Sequence, residues 1–145
     1  VRVGLSAGKG LSEAGGVPLI AGARVALLAG GVGGLVHAVL DAGRGEFYYG
    51  EVVEGRLVRE ALLGEDEVRA AVGDGVMVAC EAKVAEVFAG LHPMVLAEPS
   101  AGAALPFAVE RAGAEDFDDA AAVDANYLRR SDAEIFAKAK ESSAQ

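Results

Sequence analysis

Several things are scarce in this 145-residue chain, and each scarcity excludes something. The single cysteine, Cys80, excludes an internal disulfide and a cysteine-built zinc cage, and makes a reducing cytoplasm the expected compartment. The two histidines, His37 and His92, have no second His or Cys at helical or hairpin spacing, so no metal site and no cofactor is expected. Basic residues number 13 against 22 acidic ones, a formal net charge of −9, which argues against a main role in gripping a phosphate backbone. No uninterrupted apolar run reaches the roughly 18 residues a membrane-spanning helix needs, and the opening VRVGLSAGKG lacks the apolar stretch of a secretory signal. What is abundant is apolar: 52% hydrophobic residues with 20 glycines, the composition of one globular domain and not of a disordered chain.

Periodicity orders the chain. Val3, Ala7, Leu11 and Ala14 recur at helical spacing over residues 3–14, and Gly15-Gly16 supplies the stop before Pro18. Gly4 and Gly8 sit four apart on that helix, a face that lets another backbone approach closely. Val17–Ile20 reads as a brief strand, Arg24–Ala29 as a helix and Gly30–Gly34 as a flexible connection. Leu35–Asp41 has the pattern of a buried strand; a turn at 42–45 leads to a second strand, Glu46–Val53, with Phe47, Tyr49 and Val53 on one face. Glu54-Gly55 turns into a third, Arg56–Leu63. A short acid-headed helix from Glu65, a strand Val76–Cys80, a helix Glu81–Ala89 with Val84, Val87 and Phe88 inward, and a strand Met94–Leu96 follow. Ser100 caps a further helix with an apolar stripe of Leu105, Ala108, Val109 and Ala112; Pro106 belongs in its first turn or kinks it. Residues 115–124 read as a solvated acidic loop, Tyr127-Leu128 as extended, and Asp132–Ala139 as a small helix before a frayed end.

An antiparallel three-stranded meander extended by parallel strands through helices is the layout of an α/β, ribonuclease H-like lobe. The expected division is a remnant of a preceding lobe over 1–34, the ribonuclease H-like lobe over 35–130, and a terminal helix and tail over 131–145.

Chemistry-bearing patterns are few. Ser6-Ala7-Gly8-Lys9-Gly10 fails the P-loop pattern, with Val3 where glycine is needed and Gly10 where the hydroxyl should be. Gly30-Gly31-Val32-Gly33-Gly34 precedes a strand, where a dinucleotide loop follows one. No nucleophile elbow occurs, and Cys80, ending an apolar strand, reads as an inert thiol. Asp41, Arg44 and Glu46 flank one hairpin turn; they either line a cleft or cap the turn and pair with each other.

Several stretches together resemble the bacterial TsaB (YeaZ) family. Arg2-Val3-Gly4-Leu5-Ser6-Ala7-Gly8-Lys9-Gly10-Leu11 is similar to its helix motif R-[IV]-G-L-[AS]-x-x-K-G-L. Gly16-Val17-Pro18-Leu19 is similar to its GIPV-like step, and Asp41–Tyr48 resembles its D-A-R-x-G-E-V-Y hairpin, with Gly43 in place of the usual arginine. Gly73-Asp74-Gly75 and Asn126-Tyr127-Leu128-Arg129 follow in register, Asn126 being a further departure. The family's opening D-T-S strand and G-P-G-S-F-T-G loop have no counterpart, so the chain is expected to correspond to the C-terminal two-thirds of such a protein.

The resemblance implies an actin-like (ASKHA) fold and a role in making N6-threonylcarbamoyladenosine at position 37 of tRNA. It implies an accessory subunit, not an enzyme, that pairs with a TsaD-type catalytic paralogue and works with a TsaE-type ATPase. The interface it implies lies on the first helix, at Val3, Gly4, Ala7, Gly8 and Leu11, and the same helix could pair two copies of the chain. The alternative is an M22 glycoprotease-like metallopeptidase or a nucleotide-hydrolysing member of the same superfamily.

Overall fold

The computed structural model describes residues 2–124, so the expectations for Tyr127-Leu128 and for Asp132–Ala139 lie outside it. The strands are β1 (Leu35–Gly43), β2 (Glu46–Val53), β3 (Arg56–Gly64), β4 (Val76–Ala79) and β5 (Met94–Val95). The helices are α1 (Arg2–Gly15), α2 (Arg24–Ala29), α3 (Glu65–Val72), α4 (Ala82–Val87) and α5 (Ala101–Gly113), with a short 3-10 turn at Ala89–Leu91. One sheet forms in the order β3-β2-β1-β4-β5. β1 pairs antiparallel with β2 and parallel with β4, and β4 pairs parallel with β5. This is the expected meander extended by parallel strands.

Local chemistry explains the meander. Arg44-Gly45 and Glu54-Gly55 are two-residue turns in which all four residues have left-handed φ, as the type I′ turns that suit twisted strands require. The Glu54 carboxylate accepts from the Gly34 amide at 3.1 Å, and the Glu54 amide donates to the Gly34 carbonyl at 3.1 Å, tying the second turn to the start of β1.

β1 is central and buried on both faces from Val36 to Leu40, which is why it reads as a continuous apolar run. One face carries Val39, Phe47, Tyr49, Leu63, Met77 and Ala79 against Val68 and Val72 of α3 and Val84 and Phe88 beside α4. Phe47 and Phe88 meet edge to face at 4.8 Å between ring centroids. The opposite face carries Val36, Ala38, Leu40, Val52 and Val78 against Val25, Leu28 and Ala29 of α2. α2 crosses β2 at Gly50, where an added Cβ would lie 2.7 Å from Val25 Cγ2; only glycine admits this approach.

Val53 shares the face of Phe47 and Tyr49 but is 38% exposed at the end of β2, while Val52 is buried on the opposite face, which α2 covers. Two expectations need correction. Val17–Ile20 is not a strand; only Leu19 forms a bridge, antiparallel to Asp118. The apolar stripe of α5 is rotated. Ala104, Phe107, Ala108 and Arg111 face inward or partly so, while Leu105 and Val109 are 61% and 68% exposed. Phe107 fills the space at Gly22, and Arg111 is bound to the 116–118 loop; those contacts set the rotation. Pro106 sits inside α5, beyond its first turn. Ser100 caps that helix as expected, its Oγ accepting from the Ala103 amide at 3.2 Å.

α1 ends as its glycines dictate. Gly16 is left-handed and the Val17 amide donates to the Ser12 carbonyl at 3.1 Å, a Schellman stop. No helix among the described residues is long and apolar enough to cross a membrane.

Candidate functional site

The first candidate lies where β1 enters its hairpin. Ala42 is an extra residue between the pairs Asp41–Phe47 and Gly43–Glu46, a bulge that bends the strand end. Asp41 Oδ1 accepts from the Gly43 amide at 2.8 Å, and Oδ2 lies 3.1 Å from Lys83 Nζ. The Asp41 amide donates to Glu81 Oε2 at 2.8 Å. Arg24 Nη2 lies 2.7 Å from Glu98 Oε1 and 4.0 Å from Glu81 Oε1. Thus Asp41 meets Glu81 and Lys83, which follow β4, along the C-terminal edge of the parallel strands, where open α/β sheets place ligands. Arg44 is the exposed, left-handed tip of the hairpin; Glu46 opens β2 between Gly43 and Gly64. Glu81, Lys83, Arg24 and Glu98 had no signal in the sequence, because they join Asp41 only through strand order. The ion pairs are partly to largely exposed, and each is worth no more than about 1 kcal/mol.

The second candidate is the outer face of α1. Val3 is 86% exposed and Leu11 74% exposed, with Gly4 and Ala7 between them also exposed and Gly8 half-buried. No atom lies within 4 Å of a Cβ built on Gly4 or Gly8 beyond the helix's own neighbouring backbone. The other side of α1, with Leu5, Lys9 and Ser12, is half-buried. Lys9 Nζ donates to the Val123 carbonyl at 2.8 Å and Ser12 Oγ to the Val17 carbonyl at 2.6 Å. The stripe of Val3, Ala7 and Leu11 that defines α1 in the sequence therefore points away from the other described residues, while Leu5, Lys9 and Ser12 lie on the half-buried side.

The acidic loop is not simply solvated, as the sequence led us to expect. Arg111 Nε donates to Asp116 Oδ2 at 2.7 Å, and Arg111 Nη1 to Asp118 Oδ2 at 3.0 Å and to the Ala21 carbonyl at 2.9 Å. Asp118 Oδ2 also accepts from the Ala21 amide at 2.6 Å. The Arg111 guanidinium holds both carboxyls below the usual range, and the Ala21 amide adds to the effect on Asp118. An arginine followed by acids five and seven residues later is the trace of this cluster in the sequence.

The remaining chemically distinctive groups are placed as follows. His37 is a buried strand residue whose Nδ1 lies 2.7 Å from the Tyr49 hydroxyl. Burial pushes the His37 pKa down and the Tyr49 pKa up, so both are neutral at physiological pH and the pair shares one proton-mediated bond. The Gly75 backbone lies directly against His37, where a Cβ would meet Nε2 at 2.6 Å. His92 is an exposed loop residue. Cys80 is half-buried, and burial together with Glu81 pushes its thiol up, away from nucleophilic character. Among the described residues, no three His, Cys, Asp or Glu side chains converge as a set able to hold a metal ion.

The fold has counterparts among solved structures. One is an uncharacterized protein with similarity to peptidase YeaZ from Pseudomonas aeruginosa, 24% identical, with a TM-score of 0.66 over 89% of this chain and 67% of that one. Another is YeaZ from Pseudomonas aeruginosa, 23% identical, with a TM-score of 0.62 over 83% of this chain and 64% of that one. The chain thus spans about two-thirds of the length of either structure. No protein-family model and no curated relative matches the sequence. The likeness establishes a YeaZ-like α/β fold, with the strand layout of a ribonuclease H-like lobe.

Proposed function

We propose that this chain is a non-catalytic scaffold, a TsaB-type subunit that pairs with and activates a TsaD-type catalytic paralogue. The pair would act in the cytoplasm, with a TsaE-type ATPase, in making N6-threonylcarbamoyladenosine at position 37 of tRNA. The observation that carries the reading is the outer face of α1. A helix that turns Val3, Ala7 and Leu11 to solvent leaves apolar area whose burial is worth roughly 25 cal/mol per Å². Gly4 and Gly8 on the same helix leave room for a second helix to come close. A YeaZ-like fold and the motif resemblance of residues 2–11 point the same way.

Chemistry agrees with a supporting role. The charged groups at the strand ends are bonded mainly to one another, His37 is bonded to Tyr49, and Cys80 is held as a thiol. The word peptidase attaches to a structural neighbour, and a metallopeptidase or nucleotide hydrolase is the competing reading.

Gly4→Leu tests the proposal, because a Cβ at that position meets no described atom within 4 Å beyond the helix's own backbone and leucine favours the helix. Affinity for the TsaD-type partner, measured by titration, should fall at least tenfold with the fold intact. Unchanged affinity refutes the interface. Stoichiometric metal, or hydrolytic turnover abolished by Asp41→Asn or Glu46→Gln, would establish the enzyme instead. Should the partner not bind but the chain dimerise through α1, a homodimer replaces the scaffold.

A further inference from the structure

We infer that Arg111 is a positioning residue for α1: its clasp on Asp116, Asp118 and Ala21 holds the helix against the sheet domain and sets where its outer face points. The inference rests on the proposed use of that face, but the clasp itself is read from geometry alone.

α1 has no member in either apolar cluster of the sheet. Among the described residues, hydrogen bonds tie it to two short segments. Ser12 and the Schellman turn lead into residues 17–21, and Lys9 reaches the carbonyl of Val123. Both segments converge on the same guanidinium. Leu19 bridges to Asp118, the Asp118 amide donating to the Leu19 carbonyl at 2.8 Å. Two residues on, Ala21 gives its amide to Asp118 and its carbonyl to Arg111. Asp116 and Asp118 begin the loop that ends beside Lys9. The Phe107 ring lies 5.6 Å from the guanidinium carbon and against Gly22, closing the apolar side of the clasp. Arg111 is only 20% exposed at its side chain and Asp118 29%, so solvent replaces these bonds poorly.

Without the guanidinium, the Asp118 carboxylate and the Ala21 carbonyl lose donors in a partly buried site, while every contact of the sheet core remains. The consequence is a local opening of residues 2–23 and the 116–123 loop, not global unfolding. The groups that govern the opening are Arg111, Asp116 and Asp118, with Arg56 acting on Asp116 at longer range.

Native-state hydrogen exchange on the full chain tests this without a partner. Arg111→Met should lower protection of the α1 amides and of Ala21 by about tenfold to a hundredfold, the range that lost hydrogen bonds to charged groups imply, leaving β1, β2 and β4 amides unchanged. Arg111→Lys, which keeps the charge but not the fork, should restore part of the protection, and Asp118→Asn should lose less than Arg111→Met. Opening in the unaltered chain should increase as pH falls through the carboxylate range, and Arg111→Met should weaken that dependence, leaving the part that the Ala21 amide sustains on Asp118. Unprotected α1 amides in the unaltered chain, unchanged protection in both Arg111→Met and Asp118→Asn, or equal loss in the sheet would overturn the inference. If exchange responds as expected and the partner binds neither form, the clasp stands and the scaffold reading fails.

Discussion

The two-faced sheet and the α1–α5 periphery both carry apolar stripes, yet they cohere by different physics. In the sheet, Val39, Tyr49, Met77 and Phe88 are fully or almost fully buried, and stability follows from area removed from water, which is non-directional. In the periphery, Val3, Leu11, Leu105 and Val109 are all more than 60% exposed, and attachment depends on directional bonds to one arginine. Apart from buried His37, the apolar core carries no charge for salt or pH to act on, whereas a clasp of charged hydrogen bonds responds to both. The same chain thus holds a rigid platform and a helix that acid or one mutation can loosen.

Removing the aromatic hub of the platform should produce the largest effect. Phe88→Ala empties a buried position against Phe47 and should cost about 3–5 kcal/mol in urea unfolding, with α1 and the sheet losing protection together. If unfolding instead splits into two transitions, the periphery is more independent than a single cooperative unit allows.

Overpacking the other face comes next. Gly50→Ala drives a Cβ into Val25 and should cost about 1–3 kcal/mol, with Val25→Ala in the same chain recovering part of the loss. A neutral Gly50→Ala would show that α2 slides on β2.

Acid should then separate the regions twice. The His37 pKa is depressed in the fold, so its neutral form contributes stability that is present above the unfolded value near 6.5 and is lost as pH falls toward the folded value. Urea midpoints should decline from about pH 6.5 downward, and His37→Gln should flatten that segment. The Asp118 pKa is also depressed, so its contribution is present above the ordinary carboxylate range near 3.9 and is lost below it. That second step should be visible in α1 exchange and smaller in Arg111→Met.

The smallest effect on stability belongs to the outer face of α1. Leu11→Glu should change the unfolding free energy from urea titration by less than about 0.5 kcal/mol, since the side chain is largely exposed, while weakening partner binding. A large stability loss would mean that this face packs against another part of the chain.

Much of the fold is legible in the sequence because its signals are local. The X-Gly pairs at 44–45 and 54–55 encode the hairpins, Glu65-Asp66-Glu67 marks a helix start, and the run from Val36 to Leu40 marks a strand covered on both faces. The misreadings were two-body problems. Periodicity places Leu105, Val109 and Ala112 on one stripe of a helix, but which stripe turns inward depends on Phe107 finding Gly22 and Arg111 finding Asp118. Val52 is buried because α2 covers the second face of the sheet, a contact that alternation within β2 does not reveal. Of the site, Asp41 was visible as a turn residue, while Glu81 and Lys83 reach it only once β4 lies beside β1.

By itself, the sequence determined the order of strands and turns, the acidity, the scarcity of metal-ligating side chains, and a first helix with an apolar, glycine-spaced stripe. Each is a property of composition or of neighbours within a turn or two. The tertiary structure decided which way that stripe faces, how the strand ends gather their charges, and that Arg111 holds α1 in place. Those outcomes pair residues up to 114 positions apart, and only the folded chain brings such groups within bonding distance.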